Sequence, residues 1–174
     1  MNTMTTQSSI GNTLIKLDPG ATIPTRAHDT DVGYDITALK VDVENIDGAF
    51  FTIADETTVS LLSEKIYKIH IDTGVHLTPP PGYYFELVPN SRIAKTDFIY
   101  ANSFGVIDPA YTGSIKVVLN TMDGCFPEDL LNFLPGKVVG QLILRPHLST
   151  TFTQVNALPE TTRADGGFGS TANQ

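Results

Sequence analysis

The sequence predicts an all-β fold, a sandwich or jelly roll. Two observations carry that expectation. Short runs of β-forming residues recur between clusters of Pro, Gly, Asn and Asp, and no stretch sustains helical periodicity. Residues 65–71 (KIYKIHI) alternate most cleanly, which places Ile66, Lys68 and His70 on one face and Tyr67, Ile69 and Ile71 on the other. A chain of 174 residues that is 41% hydrophobic suits one domain with a real core.

Residues 12–17 (NTLIKL) read as the first strand, and the following DPGATIPTRAH, rich in turn formers, as an irregular crossing. Residues 33–38 (GYDITA) form a short strand whose Asp35 is either a solvated edge carboxylate or a group facing a metal-bound ligand. Within 39–62 an extra hairpin is expected, with Asp47-Gly48 as its turn between VDVEN and AFFTI. His70 and His76 read as strand residues rather than ligands. The prolines at 79–81 and Gly82 make a turn, after which YYFELVP restarts a strand. PNSRIAKT (89–96) then breaks the β pattern and is the place for one short helix. Ser91 there either caps the helix or lends its N–H to a phosphate.

Residues 101–120 (ANSFGVIDPAYTGSIKVVLN) are where chemistry is expected. The arms 99–106 and 114–119 are rich in β-formers, and Asp108-Pro109 with Gly113 supplies turn signals, so the segment reads as a hairpin with Asp108 at a strand end. Asp108 either opens a Pro turn under Tyr111 or presents its carboxylate to a ligand. The backbone of such a loop offers N–H and C=O groups at fixed spacing, suited to reading a nucleobase edge. Residues 123–136 read as loop with a helical turn near 128–133, and 137–144 (KVVGQLIL) as a buried strand. Gln141 in it either satisfies buried backbone or points into a pocket. Beyond residue 155 the apolar density falls. The expected organisation is a β domain over 1–155 and a flexible arm over 156–174. The arm sets Arg163, Phe168 and Ser170 among Gly166, Gly167 and Gly169, the composition a lid needs.

Eleven Lys and Arg against 19 Asp and Glu give a formal charge of −8, which argues against binding a nucleic-acid backbone. A small polyanion needs only a few placed cations and a metal ion. Cys125 is the single cysteine, so neither an intrachain disulfide nor a Cys-based zinc site is available. The N-terminal residues lack a basic region followed by an apolar one, and no window reaches the length of a membrane span. The expectation is a soluble, intracellular protein, cytoplasmic by default, that does not engage a membrane.

Five motifs in one order resemble the trimeric dUTP pyrophosphatase (dUTPase) family: AHDTDVGYDITA, PNSRIAKT, ANSFGVIDPAYTG, PGKVVGQLI and RADGGFGST. The resemblance spans roughly residues 14–171, and the third and fifth motifs are its most specific parts. Departures are Asn90 where the family usually has Arg, Arg92 where it has Ser or Gly, Ser114 often Glu, and Gly140 usually Ala. Residues 43–62 look like an insertion. The resemblance implies a jelly roll, a homotrimer with shared active sites, and Mg2+-assisted hydrolysis of dUTP to dUMP and pyrophosphate. It implies Asp108 as the base that deprotonates an in-line water. Asn102, Gly105, Val106, Ile107 and the backbone near Lys116 would face uracil, and Tyr111 the deoxyribose. Ser91, Arg92 and Gln141 would serve the phosphates or the water, and Asp35 would make an outer-sphere contact to the metal. Arg163, Phe168, Gly169 and Ser170 would close over the site.

Two other readings compete. A dCTP deaminase of related fold would need a Glu acid/base in the pocket, whereas the hairpin offers Asp108 with Tyr111. A dUTPase-like binding or regulatory protein impaired by its altered second motif is the other; Asp108, Tyr111, Arg163 and Phe168 argue against it.

Overall fold

The structure, a computed structural model, describes residues 11–162. Eleven strands follow the turn-punctuated pattern of the sequence: β1 (Leu14–Leu17), β2 (Tyr34–Thr37), β3 (Lys40–Asn45), β4 (Phe50–Ile53), β5 (Ile66–Asp72), β6 (Val75–Thr78), β7 (Tyr83–Val88), β8 (Ile99–Tyr100), β9 (Gly105–Ile107), β10 (Lys116–Cys125) and β11 (Val138–Pro146). A five-stranded sheet runs β4-β3-β5-β10-β8, a four-stranded sheet runs β2-β11-β7-β9, and β1 pairs with β6 alone. The ladders between these strands are antiparallel, as short connections and alternating burial require. The fold is the expected jelly-roll β-sandwich, with Val43, Ile69, Leu119 and Leu142 among the side chains sealed between the sheets. Each such side chain contributes about 1.5–3 kcal/mol by leaving water.

Three expectations need correction. The first is the hairpin. β8 does pair with β10, Leu119 opposite Tyr100, but β9 leaves for the other sheet and pairs with β7, Phe85 opposite Ile107. The segment between β8 and β10 is therefore an arch that crosses from one sheet to the other. The second concerns β5. Where β3 advances from Glu44 to Asn45, β5 advances from Lys68 to Ile66, so Tyr67 is an extra residue. That bulge turns Ile66 onto the core side with Ile69 and Ile71. The third is the single short helix. Residues Ser91–Lys95 form a 3-10 helix, as do Pro127–Asn132, and the α-helix, α1, lies at Glu56–Ser60 beside the expected β3–β4 hairpin. α1 begins on a capping box, with Asp55 accepting from the Thr58 N–H and Thr58 Oγ1 accepting from the Asp55 N–H.

The Asp47-Gly48 turn forms as its residues demand, with Gly48 at φ +78°. Cys125 is buried at the end of β10, and burial pushes its thiol up to about 12, which leaves it unreactive. The two sheets are tied across the core by Tyr100 on β8, whose hydroxyl donates to the Val139 carbonyl of β11 at 2.5 Å. After β11 the described chain, 147–162, carries no strand or helix and is exposed. No helix among the described residues is long and apolar enough to cross a membrane.

Candidate active site

The first group of predicted residues gathers at one corner of the four-stranded sheet. Gln141 on β11 stands opposite Asp35 on β2 and Val88 on β7. Asp35 exchanges backbone hydrogen bonds with Thr25, donating at 2.7 Å and accepting at 3.3 Å, which pins the irregular crossing against the strand. Arg26 lies 5.2 Å above the Tyr34 ring and donates to the Asp31 carbonyl at 3.2 Å. The Gln141 side chain packs on Gly33, where a Cβ would come within 2.5 Å of Oε1, so the glycine of the first motif makes room for the amide. The result is a cleft of about 350 Å3 lined by Ala27, Asp31, Val32, Gly33, Asp35, Gln141 and Ile143.

Among the described residues no group of three or more His, Cys, Asp or Glu side chains is placed to hold a metal ion. The cleft offers instead the carboxylate of Asp35, which has no hydrogen-bond or ion-pair partner among the described residues. One free carboxylate beside an amide suits a hydrated Mg2+ carried in by a polyphosphate better than a cage built of protein ligands.

Ser91 begins its 3-10 helix three residues after β7 ends. The cap of that helix is Asn90, not Ser91: the Asn90 side chain accepts the Arg92 N–H at 3.0 Å. The Arg92 amide is thus already satisfied, while the Ser91 N–H has no hydrogen-bond partner among the described residues. The Arg92 guanidinium is exposed and lines a second cleft, of about 340 Å3, with Lys95, Asn132, Lys137 and Val138. Arg92, Lys95 and Lys137 make no ion pair among the described residues.

The second group lies on the arch. Ser103 takes φ +59° and the Phe104 N–H donates to the Asn102 carbonyl at 2.6 Å, a tight turn that delivers the chain to β9. Gly105 and Ile107 are buried against β7, while Val106 is exposed between them. β9 is the edge of its sheet, so one side of its backbone faces outward with no strand beside it among the described residues. Asp108 follows at once. Its carbonyl accepts the Tyr111 N–H at 3.0 Å, closing a turn around Pro109-Ala110, and its carboxylate has no partner among the described residues. Tyr111 is 43% exposed and folds back so that its hydroxyl donates to the Ser114 carbonyl at 2.8 Å. Gly113 is what allows this, because a Cβ there would stand 2.5 Å from the Tyr111 hydroxyl.

The descending limb of the arch is held by a segment that sequence reasoning missed, residues 72–76 (DTGVH). Thr73, wholly buried, donates to the Ile115 carbonyl from both its N–H (3.1 Å) and its hydroxyl (2.8 Å). The Ile115 N–H donates to the Val75 carbonyl at 2.9 Å, and the Ser114 hydroxyl bonds Asp72. Lys116 lies 3.9 Å from Asp72 and His76 bonds the Thr112 carbonyl at 2.9 Å. Gly74, at φ +63°, is the one available signal. A Cβ there would run into Leu39 and Ala21, so the tight exit from β5 demands glycine.

The two groups do not meet within one chain. From β2 to β9 is three strand spacings, about 14 Å, and the residue after Ile107 lies four positions along β7 from Val88, about another 14 Å. Asp108 is therefore on the order of 20 Å from Asp35 and Gln141. Arg163, Phe168, Gly169 and Ser170 lie outside the described residues.

The dUTPase family model matches residues 51–172. The deoxyuridine 5'-triphosphate nucleotidohydrolase of Escherichia phage T5 is 41% identical over 108 residues, covering 62% of this chain and 70% of that protein. The protein of the same name from Corynebacterium efficiens is 30% identical over 159 residues, covering 91% and 76%. Among solved structures, Staphylococcus bacteriophage 80alpha dUTPase with dUPNHPP superimposes with a TM-score of 0.66 at 22% identity, covering 91% of this chain and 97% of that one. A mutant dUTPase from phage phi11 of S. aureus, whose structure reveals the coordination of a structural Mg(II) ion, gives 0.61 at 20% identity, covering 84% and 98%. These two structures share the fold.

Proposed function

This chain belongs to the dUTPase family, and from that membership we infer that it hydrolyses dUTP to dUMP and pyrophosphate. The observation that carries the reading is the arch: an edge strand with a free backbone side, followed at once by an unpartnered carboxylate and an aromatic ring. Uracil pairs with backbone groups of Gly105, Val106 and Ile107 and near Lys116, with Asn102 beside them. A cytosine reverses one donor–acceptor pair and leaves buried polar groups unmatched. Tyr111 lies under the deoxyribose and leaves no room for a 2′-hydroxyl.

Asp108 takes the proton of a water that attacks the α-phosphorus in line. The new P–O bond forms as the bond to the bridging oxygen breaks, and pyrophosphate leaves with that electron pair. Ser91, Arg92 and Gln141 hold the phosphates or the water, and Asp35 would hold a hydrated Mg2+ beside them. Bound Mg2+ supplies charge neutralisation to the phosphate oxygens. Arg163, Phe168, Gly169 and Ser170 close over the ligand. The reaction keeps uracil out of DNA and supplies dUMP for thymidylate synthesis.

The separation between Asp108 and the cleft of Asp35 and Gln141 supports sites shared between copies, one chain lending its arch to the cleft of the next in a homotrimer. The test is pyrophosphate release from dUTP with Mg2+, by the wild type and by Asp108→Asn. The amide keeps the shape of the carboxylate and cannot accept the proton, so turnover should vanish while affinity for a non-hydrolysable dUTP analogue stays nearly intact. A wild type that binds the analogue and releases no pyrophosphate would overturn the assignment.

A further inference from the structure

His76 touches the arch without touching any residue assigned to the chemistry. It lies on β6 opposite Lys16 of β1, with its side chain 19% exposed. Its Nδ1 is 2.9 Å from the Thr112 carbonyl, and its Nε2 is 3.2 Å from a carboxylate oxygen of Asp18, just past the end of β1. A carbonyl oxygen only accepts, and an ionised carboxylate only accepts. Both ring nitrogens must then donate, and a ring with two N–H groups is the imidazolium cation. Thr112 is the residue after Tyr111, so this cation ties the sugar-facing ring to a strand pair outside both large sheets.

We propose that His76 is a positioning residue for the reaction, a latch that fixes the limb 111–113 only while its imidazole carries two protons. The catalytic consequence rests on the function proposed above; the latch itself does not. Among the described residues, Asp18 favours the cation and Lys16, 3.8 Å from Asp18, opposes it; the arch further carries the Tyr111 phenol, tied to Ser114, and Lys116, paired with Asp72 at the end of β5. The Thr112 carbonyl first, and then Asp18, hold the imidazole above its ordinary 6.5. For a group raised on latching, the latch is complete below 6.5 and is lost as pH rises through the higher, latched value.

The experiment measures kcat and KM for dUTP from about pH 6 to about pH 9 in the wild type, His76→Gln, His76→Ala and Asp18→Asn. In the wild type KM should rise about tenfold across the alkaline side with kcat changed less, because a loosened ring weakens binding of the sugar. His76→Ala should show the high KM at every pH. His76→Gln, whose amide still donates to the Thr112 carbonyl, should recover most of the affinity and lose the pH dependence. Asp18→Asn should move the alkaline rise to lower pH. Equal KM and an unchanged profile in His76→Gln and Asp18→Asn overturn the latch, whether or not His76→Ala folds. In parallel, the His76 ring is titrated by NMR while the Tyr111 and Gly113 signals are followed. A shared midpoint above 6.5 supports the latch, and arch signals that ignore the His76 titration refute it. A wild type with no pyrophosphate release at any pH would sink the proposed reaction, and the NMR titration would still decide the latch.

Discussion

Gly140, one of this chain's departures from the fourth dUTPase motif, sits directly against the Tyr100 hydroxyl. A Cβ on Gly140 would collide with the Tyr100 hydroxyl and stand 3.1 Å from the Val88 carbonyl. Gly140→Ala overpacks this junction, at a cost of about 1–3 kcal/mol. The smaller entropy of the unfolded Ala chain returns about 0.4–1 kcal/mol, leaving a loss of about 1–2 kcal/mol. Tyr100→Phe removes a buried 2.5 Å hydrogen bond and leaves the Val139 carbonyl short of a donor, about 1–3 kcal/mol. Burial raises the Tyr100 pKa, so the phenol is a neutral donor at every pH where the fold is studied. In the double variant the obstructing oxygen is gone and the new methyl occupies its space. Its loss should fall short of the sum by about 1 kcal/mol, since residues in contact couple. Urea denaturation of all four proteins at one fixed concentration closes the cycle, and thermal melting should separate additive from coupled outcomes by about 2–4 °C. Strictly additive losses would refute the claim that Tyr100 excludes alanine at 140.

Two further experiments probe the site. Gly113→Ala should push the Tyr111 ring off its perch over residue 113 and lower the preference for dUTP over UTP by about tenfold or more, read as a ratio of kcat/KM; an unchanged ratio would remove Tyr111 from sugar selection. Arg92→Ser should lower kcat/KM by about ten- to 150-fold if its guanidinium reaches the phosphates, and adding Asn90→Arg should recover much of that. The alternative is a guanidinium that points to solvent or pairs across a subunit boundary, and an Arg92→Ser variant of full activity would rule out its service to the phosphates.

Most strands were legible because runs of β-forming residues, alternating as in β5 or continuous as in β11, are bounded by residues that cannot continue a ladder. What escaped was pairing. Asp108-Pro109 and Gly113 announce a turn, but no local signal says that β9 abandons β10 for β7, since that choice depends on Phe85 and Leu87, far back in the chain. The inward turn of Ile66 was equally hidden, because the bulge that causes it lies in the register with β3. α1 was legible and overlooked: Asp55 and Thr58 are spaced as a capping box. The carboxylate and ring of the proposed site could be named from the third motif. The buried threonine and the histidine that hold them could not, because a side chain in an alternating strand gives no sign that its partner is a carbonyl on a distant loop.

The outward side of β9 has a cost for the protein's behaviour in solution. A backbone edge left free to meet a base is equally free to meet the edge of another molecule, and unprotected edges are where soluble β proteins aggregate. In β9 that exposed edge is only Gly105–Ile107, three residues followed at once by Asp108 and Pro109, too short to template an extended strand. If these backbone atoms read the base as proposed, selectivity and colloidal stability rest on the same short edge, and a ligand that occupies it would also shield the sheet.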